Sequence, residues 1–297
     1  MLKKYVVFYL LCMGVGYSSF ALDIIAEEEK QSLLDIYNST NGEEWTVSWD
    51  IGSHVGNWQG VTLKNGHVVG LNLFNNGLKG TLPQSIGNLT HLVHLNLAFN
   101  NLTGQLPTTI VKLENLRVLK LEMNRLKGAL PDGIGRLHRL EELSLYNNFI
   151  SGAIPESVGN IKGLRIFNLS SNNLKGIIPA SIGELTQLEV LGLFENGLEG
   201  SLPQEMGKLG HLKELVLANN RLGGEIPVEF GQLASLKVLQ IQNNSFKSFK
   251  GLKLMDAKQF LVFDTDDTTL GPYNEINLER MRTRTADTKF EDDDNNE

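Results

Sequence analysis

Few side chains in this chain are spaced in a way that could do chemistry. His91-x-x-His94 sets two imidazoles close enough in sequence to suggest a metal pair. His94 precedes the alternating Leu95-x-Leu97 and should point off a strand, while His91 lies in the connection before that strand. The rings should diverge and no cysteine supports them, so no metal is expected. Asp264-x-Asp266-x-Thr268, with Glu275 eleven residues after Asp264, has the outline of a calcium loop. Its sixth position, where the loop turns most sharply and needs glycine, is Thr269. A solvated acidic loop is the better account. Glu122 and Glu142 are the pair one would test for acid–base work on a polysaccharide. Carboxylates on a regular open sheet, however, lack the dry cleft that would tune their pKa values. No nucleophile elbow, phosphate loop, zinc-protease helix or dinucleotide fingerprint is present. The chain therefore reads as non-catalytic, with no cofactor.

What positions these residues is a frame that repeats every 24 residues from Leu71 to Leu239. Asparagine falls at Asn76, Asn100, Asn124, Asn148, Asn172, Asn196, Asn220 and Asn244. Glycine falls at Gly80, Gly104, Gly128, Gly152, Gly176, Gly200 and Gly224. Seven of the eight prolines follow three residues after these glycines, from Pro83 to Pro227. A fixed period of this size means a solenoid of about eight coils, and such a solenoid is a surface for binding.

One coil can be read from residues 92–115. Leu95-x-Leu97 alternates, so both leucines face the core from a short strand. Asn100 then turns the chain. Backbone groups of a turn buried between coils are out of reach of water, and the amide can both donate to and accept from them. Leu102 returns to the core, Gly104 gives the backbone freedom, and Leu106-Pro107 runs extended. Ile110 and Leu113 point inward again. Each coil has one apolar edge and cannot fold alone, so the strands must stack into a parallel sheet. Eight strands at roughly 4.8 Å make that sheet about 34 Å long. The ladder asparagines, the glycines and the prolines are structural on this reading.

The outward strand positions are the ones the fold leaves open. They give a mixed face with aromatics at Phe74, Phe99, Tyr146 and Phe194 and carboxylates at Glu122, Glu142, Glu195 and Glu214. Aromatics ringed by polar groups are what interfaces use as anchors. The candidate ligand-binding residues are Phe74, His94, Asn96, Phe99, Lys120, Glu122, Glu142, Tyr146, Phe194 and Glu195.

The ends divide the chain further. Lys3 and Lys4, the apolar run from Tyr5 to Val15 and the small pair Ser19-x-Ala21 read as a cleaved export signal over residues 1–21. Its removal takes away Cys12, the only cysteine, which excludes disulfides and cysteine metal sites. It also takes the formal charge from −7 to −9, because Lys3 and Lys4 leave. An acidic chain is a poor partner for nucleic acid and is peripheral to a membrane at most. Residues 22–67 form a cap, 68–247 the repeats and 248–278 a degenerate second cap. Phe260-x-x-Phe263 lies in phase with Leu236 and Leu239, so residues 260–264 read as a closing strand. Residues 279–297 are charged and read as a disordered acidic tail.

The motif L-x-x-L-x-L-x-x-N-x-L-x-G-x-[IL]-P-x-x-[IL]-G-x-L, carried from about residue 68 to 246, resembles the 24-residue plant-type leucine-rich repeats. That class is familiar from plant receptor ectodomains and polygalacturonase inhibitors, and exported bacterial proteins carry it too. The cap is similar as well. A helix-like stretch from Glu27 to Tyr37 is followed by Trp45, Trp49 and the run Asn57-Trp58-Gln59-Gly60-Val61-Thr62. In plant-type caps cysteines flank that run, whereas here Gly56 and Leu63 stand there. The cap is then expected to hold by packing its three tryptophans on the first coil, and the source to be bacterial. The resemblance implies an α/β solenoid with a parallel β-sheet on the concave face and 3-10 or extended segments on the convex face. It also implies a secreted or cell-surface protein that binds a protein or peptide on the concave sheet. The alternative partner is a glycan, stacked on Tyr146 and Phe194.

Overall fold

The computed structural model describes residues 25–255 and 259–266. The export signal, the acidic tail and most of the acidic loop that begins at Asp264 lie outside them. The described chain is a solenoid. Its concave face is a ten-stranded sheet built from His67–Asn72, His94–Asn96, Val118–Lys120, Glu142–Ser144, Ile166–Asn168, Val190–Gly192, Glu214–Val216 and Val238–Gln240, with one further strand at each edge. The register advances by one repeat per strand. Leu71, Leu95, Leu119, Leu143, Phe167, Leu191, Leu215 and Leu239 therefore stand in one column. All of them are fully buried. The closing strand Val262–Asp264 continues the column with Phe263 beside Leu239. The other edge departs from the expected all-parallel sheet: Val61–Lys64 joins His67–Asn72 antiparallel through a tight turn at Asn65-Gly66. A hairpin needs two residues there, whereas a parallel start would need a crossover.

Past the ladder asparagine each coil adds a second strand, and those from Lys127–Ala129 to Ser245–Ser248 form a six-stranded parallel sheet. The convex side is made of short 3-10 turns such as Gln84–Asn88, Thr108–Lys112 and Glu156–Asn160. Two glycines show what this winding requires. Gly152, at the end of the second strand of its coil, has a φ of 78°, in the left-handed region. Gly135 sits so close to the next coil that an added Cβ would fall 2.1 Å from the Ser157 carbonyl oxygen.

The ladder asparagines join the coils. The Nδ2 of Asn124 donates to the carbonyls of Leu121 in its own coil and Leu97 in the preceding one, each at 3.0 Å. Its Oδ1 accepts from the Leu102 amide at 2.9 Å. Asn148, Asn172, Asn196, Asn220 and Asn244 repeat the pattern. Asn100 does the same, and its Oδ1 accepts from Asn76 as well. Asn76 has no earlier coil to hold and grips the cap instead, accepting from Val47 N–H at 2.7 Å and donating to Val47 O at 3.1 Å. The residue before each ladder asparagine has a positive φ, between 47° and 59°. Asn75, Asn147, Asn219 and Asn243 suit that conformation, but Phe99, Met123 and Glu195 do not. Their strain is offset because these amides bond the next coil, as Phe99 N–H does to Glu122 O at 2.9 Å.

The cap holds without a disulfide. Its helix, Glu27–Ser39, places three acids in its first turn, where the helix dipole favours them. Leu33, Ile36 and Tyr37 turn inward. Tyr37 stacks on Trp49 at 5.9 Å, Trp49 stacks on Trp58 at 4.8 Å, and Trp45 meets Trp49 edge-on at 4.9 Å. Each indole N–H reaches a carbonyl: Trp45 to Thr40, Trp49 to Gln59 and Trp58 to Asp50. That satisfies the polar edge that burial would otherwise penalise. An added Cβ on Gly56 would lie 3.6 Å from Leu63 Cδ1, so the two places where plant-type caps carry cysteine are neighbours here too.

The ladder gives a direct test. Asn124→Ala leaves the Leu97 and Leu121 carbonyls without this donor and the Leu102 amide without its acceptor. Urea denaturation followed by circular dichroism should show a loss of about 3 kcal/mol. A loss under about 1 kcal/mol would mean that solvent satisfies the turn.

Candidate ligand-binding face

On the concave sheet the outward positions of successive coils stand in rows, one residue per strand. One row reads Phe74, Ala98, Glu122, Tyr146, Ser170, Phe194, Ala218 and Gln242. Large and small side chains alternate along much of it, and the small ones are covered: Ala98, Ser170 and Ala218 are buried. The face is thus less open than the alternation of the strands implies. On a concave sheet neighbouring outward side chains lean together, and a large one shields the small one beside it.

Three groups emerge along this face. At the cap end Phe74 and Phe99 touch with centroids 5.2 Å apart and tilted by 57°; they are 50% and 40% exposed, an unusual state for phenylalanine. Phe99 reaches this place because its left-handed backbone swings the side chain toward Phe74. His94 and Asn96, on the strand that leads to Phe99, are half-buried, and Asn96 Oδ1 accepts from the Ala98 amide.

The middle group is Lys120, Glu122, Glu142 and Tyr146. Glu122 corrects the expectation of an exposed carboxylate, since only 5% of it is accessible. It lies in its row between Ala98 and Tyr146, and its Oε2 is buried with no hydrogen-bond partner. Lys120 Nζ stands 3.6 Å from Glu122 Oε1 and donates to Glu142 Oε1 at 3.0 Å. Burial pushes the Glu122 carboxyl up from its ordinary range; its own backbone amide, Lys120 and Ser144 pull it back, and Glu142 adds to the rise. Burial works against the Lys120 charge, but the Glu142 hydrogen bond and the charge of both carboxylates raise its pKa on balance. Burial and the neighbouring Glu122 charge raise that of the Tyr146 phenol. The third group, Phe194 and Glu195, lies two coils further on, where Ser171 Oγ donates to Glu195 Oε2 at 3.0 Å. The ten candidate residues thus form three clusters along one face and not one pocket.

Along the strand-entry edge runs a column of alternating charge that the sequence reading did not single out. Arg117 donates to Glu141 at 2.8 Å, and Arg165 and Lys213 both donate to Glu189. These hydrogen bonds hold the Glu189 carboxyl below its usual range. The column borders a shallow apolar hollow of Val118, Ile166 and Val190. Its 24-residue recurrence was the available signal.

His91 stacks on His67, one period earlier, with centroids 3.6 Å apart. Among the described residues no helix is long and apolar enough to cross a membrane.

Residues 70–178 match the family model described as a leucine-rich repeat region, and residues 211–233 match that of a leucine-rich repeat. No curated protein matches the chain. Among solved structures, the fold is similar to the ectodomain of the receptor kinase GASSHO1/SCHENGEN3 of Arabidopsis thaliana in complex with CASPARIAN STRIP INTEGRITY FACTOR 2. The two share 29% identity over 76% of this chain and 31% of that one, with a TM-score of 0.65. The Arabidopsis receptor kinase HAESA, in complex with the peptide hormone IDA and a co-receptor, shares 28% identity over 74% of this chain and 42% of that one, at a TM-score of 0.61. A leucine-rich repeat protein of Leptospira interrogans shares 35% identity over 65% and 47%, at 0.55. This chain spans less than half the length of each of the three.

The state of Glu122 can be read from stability. Its folded-state pKa lies above the unfolded one, so the ionised carboxylate costs stability at neutral pH. That cost is relieved as pH falls through the folded-state value toward the unfolded one. Glu122→Gln should therefore melt higher than the unaltered chain at pH 7, by about 2 °C, with the gain shrinking toward pH 4. A variant that melts lower at pH 7 would show that the Lys120 pairing outweighs burial.

Proposed function

We propose that this chain, a leucine-rich repeat protein of the 24-residue plant-type class, is a non-catalytic secreted or cell-surface protein that binds a protein or peptide along its concave sheet. The observation that carries this reading is the exposed, tilted Phe74–Phe99 pair at one end of a face whose middle bears the Lys120–Glu122–Glu142 group and whose far part bears Phe194. Apolar anchors beside fixed charges are the makings of an interface hot spot. The rigid register fixes their spacing. From the strand of Phe74 to that of Phe194 is five strand intervals, or about 24 Å, the reach of about seven extended residues. A peptide laid across the strands would meet the three groups in turn.

The receptor kinase HAESA, similar in fold, was solved with the peptide hormone IDA, which supports the same class of partner here. The surroundings of Glu122 support a non-catalytic role. The buried Glu122 carboxylate is tied to a neighbouring lysine and does not line a cleft with a second free acid. A glycan reader would use flat open rings. The most exposed rings here, Phe74 and Phe99, are tilted against each other and offer edges, which favours a protein or peptide.

The test is a pull-down from native extracellular extract with the purified chain and with a Phe74→Ala, Tyr146→Ala, Phe194→Ala variant of matched circular dichroism. One protein or peptide held by the first should be lost by the second, with affinity falling at least about 30-fold, since two interface anchors carry about 1 kcal/mol or more each. Equal retention would move the site off the concave face. Sugar binding on a glycan array, lost with Tyr146→Ala, would replace the peptide reading with the glycan one.

A further inference from the structure

Three side chains that sit far apart in the sequence meet where the cap joins the first coil. Glu29 lies in the first turn of the cap helix, His67 opens the first strand of the parallel array, and His91 lies one period later in the connection before the next strand. Glu29 is 4% exposed. Its Oε2 accepts the Val68 amide at 2.6 Å, which fixes the carboxylate. Its Oε1 is approached by Nδ1 of His67 at 2.8 Å and Nδ1 of His91 at 3.2 Å. The imidazoles stack with planes 19° apart. One ligand atom from each of the three lies within 4.8 Å of the other two, and among the described residues this is the one such grouping of three.

We propose that Glu29, His67 and His91 bind a divalent transition-metal ion of the zinc type, which clips the cap helix to the first coil. A carboxylate only accepts hydrogen bonds, so each ring presents its Nδ1–H to Oε1. A cation at that point would replace those two protons and meet three donors. Bonds of about 2.0–2.1 Å in a tetrahedron put ligand atoms about 3.3 Å apart, close to the two Nδ1–Oε1 separations found here. Two imidazoles and one carboxylate, with a fourth place left for water, suit zinc, cobalt or nickel and not the oxygen-seeking magnesium or calcium. The Val68 amide already orients the carboxylate, as an outer partner of a metal ligand should. The rings must splay out of their stack to aim both lone pairs at one ion. The side chains of His67 and His91 are 38% and 47% exposed, so solvent gives them room and the ion a path.

The experiment titrates the untagged full chain with zinc chloride by calorimetry and follows cobalt binding by its visible absorption. We expect saturable binding of one ion per chain, cobalt bands of four- or five-coordination, and reversal by EDTA. At a hundred times Kd the folding equilibrium constant should rise about 100-fold, seen as a higher melting temperature. Magnesium should do nothing. His67→Gln with His91→Gln, shown folded by circular dichroism, should abolish all three signals. His94→Gln should leave them intact. Absence of one-to-one binding at millimolar zinc, or binding that survives the double variant, would overturn the proposal.

Discussion

The solenoid depends on one constraint: the turn after each strand is sealed between two coils, and its backbone groups have no water to bond. A side-chain amide with a donor and an acceptor a short distance apart meets that need, which is why the turn position is asparagine in every coil. Because Asn124 Nδ2 reaches both its own coil and the preceding one, each turn also fixes the spacing to its neighbour. The leucine column, the positive backbone angle before each ladder residue and the register of the concave sheet are consequences of that bond. So is the placement of the functional side chains, since a row of outward residues is straight only if every coil is set by the same bond.

The fold was legible in the sequence for the same reason. A position repeated seven or eight times reports the environment of that position, and leucine, asparagine, glycine and proline each report a distinct one. What was not legible depends on neighbours across coils. Glu122 reads as an outward carboxylate from its own strand, and only the coils on either side, with Ala98 and Tyr146 in the same row, make it a buried one. Phe99 reads as one more outward aromatic, but its left-handed backbone and its contact with Phe74 are not announced by its residue type. The antiparallel strand Val61–Lys64 was missed because its only sign is the Asn65-Gly66 turn, which lies outside the repeat.

The histidines illustrate the point further. Reading along the chain sets His91 near His94, three residues apart, where the strand makes the rings diverge. Reading at the period pairs it with His67, and the structure follows the period. In a solenoid, side chains one repeat apart are spatial neighbours, so any search for cooperating residues belongs at that interval before the local one. Glu29 lies outside the repeats, on the cap helix, and no periodic reading could have brought it in.

The column of charges at the strand-entry edge carries a consequence for how such a protein can change in length. Arg117, Glu141, Arg165, Glu189 and Lys213 alternate in sign from coil to coil. Excising the single coil that carries Glu141 would set Arg117 against Arg165, whereas excising that coil together with the next would set Arg117 against Glu189 and keep the alternation. Growth and shrinkage by recombination of whole coils is thus biased toward even steps in this segment, a parity rule imposed by electrostatics on an array whose hydrophobic core is indifferent to it.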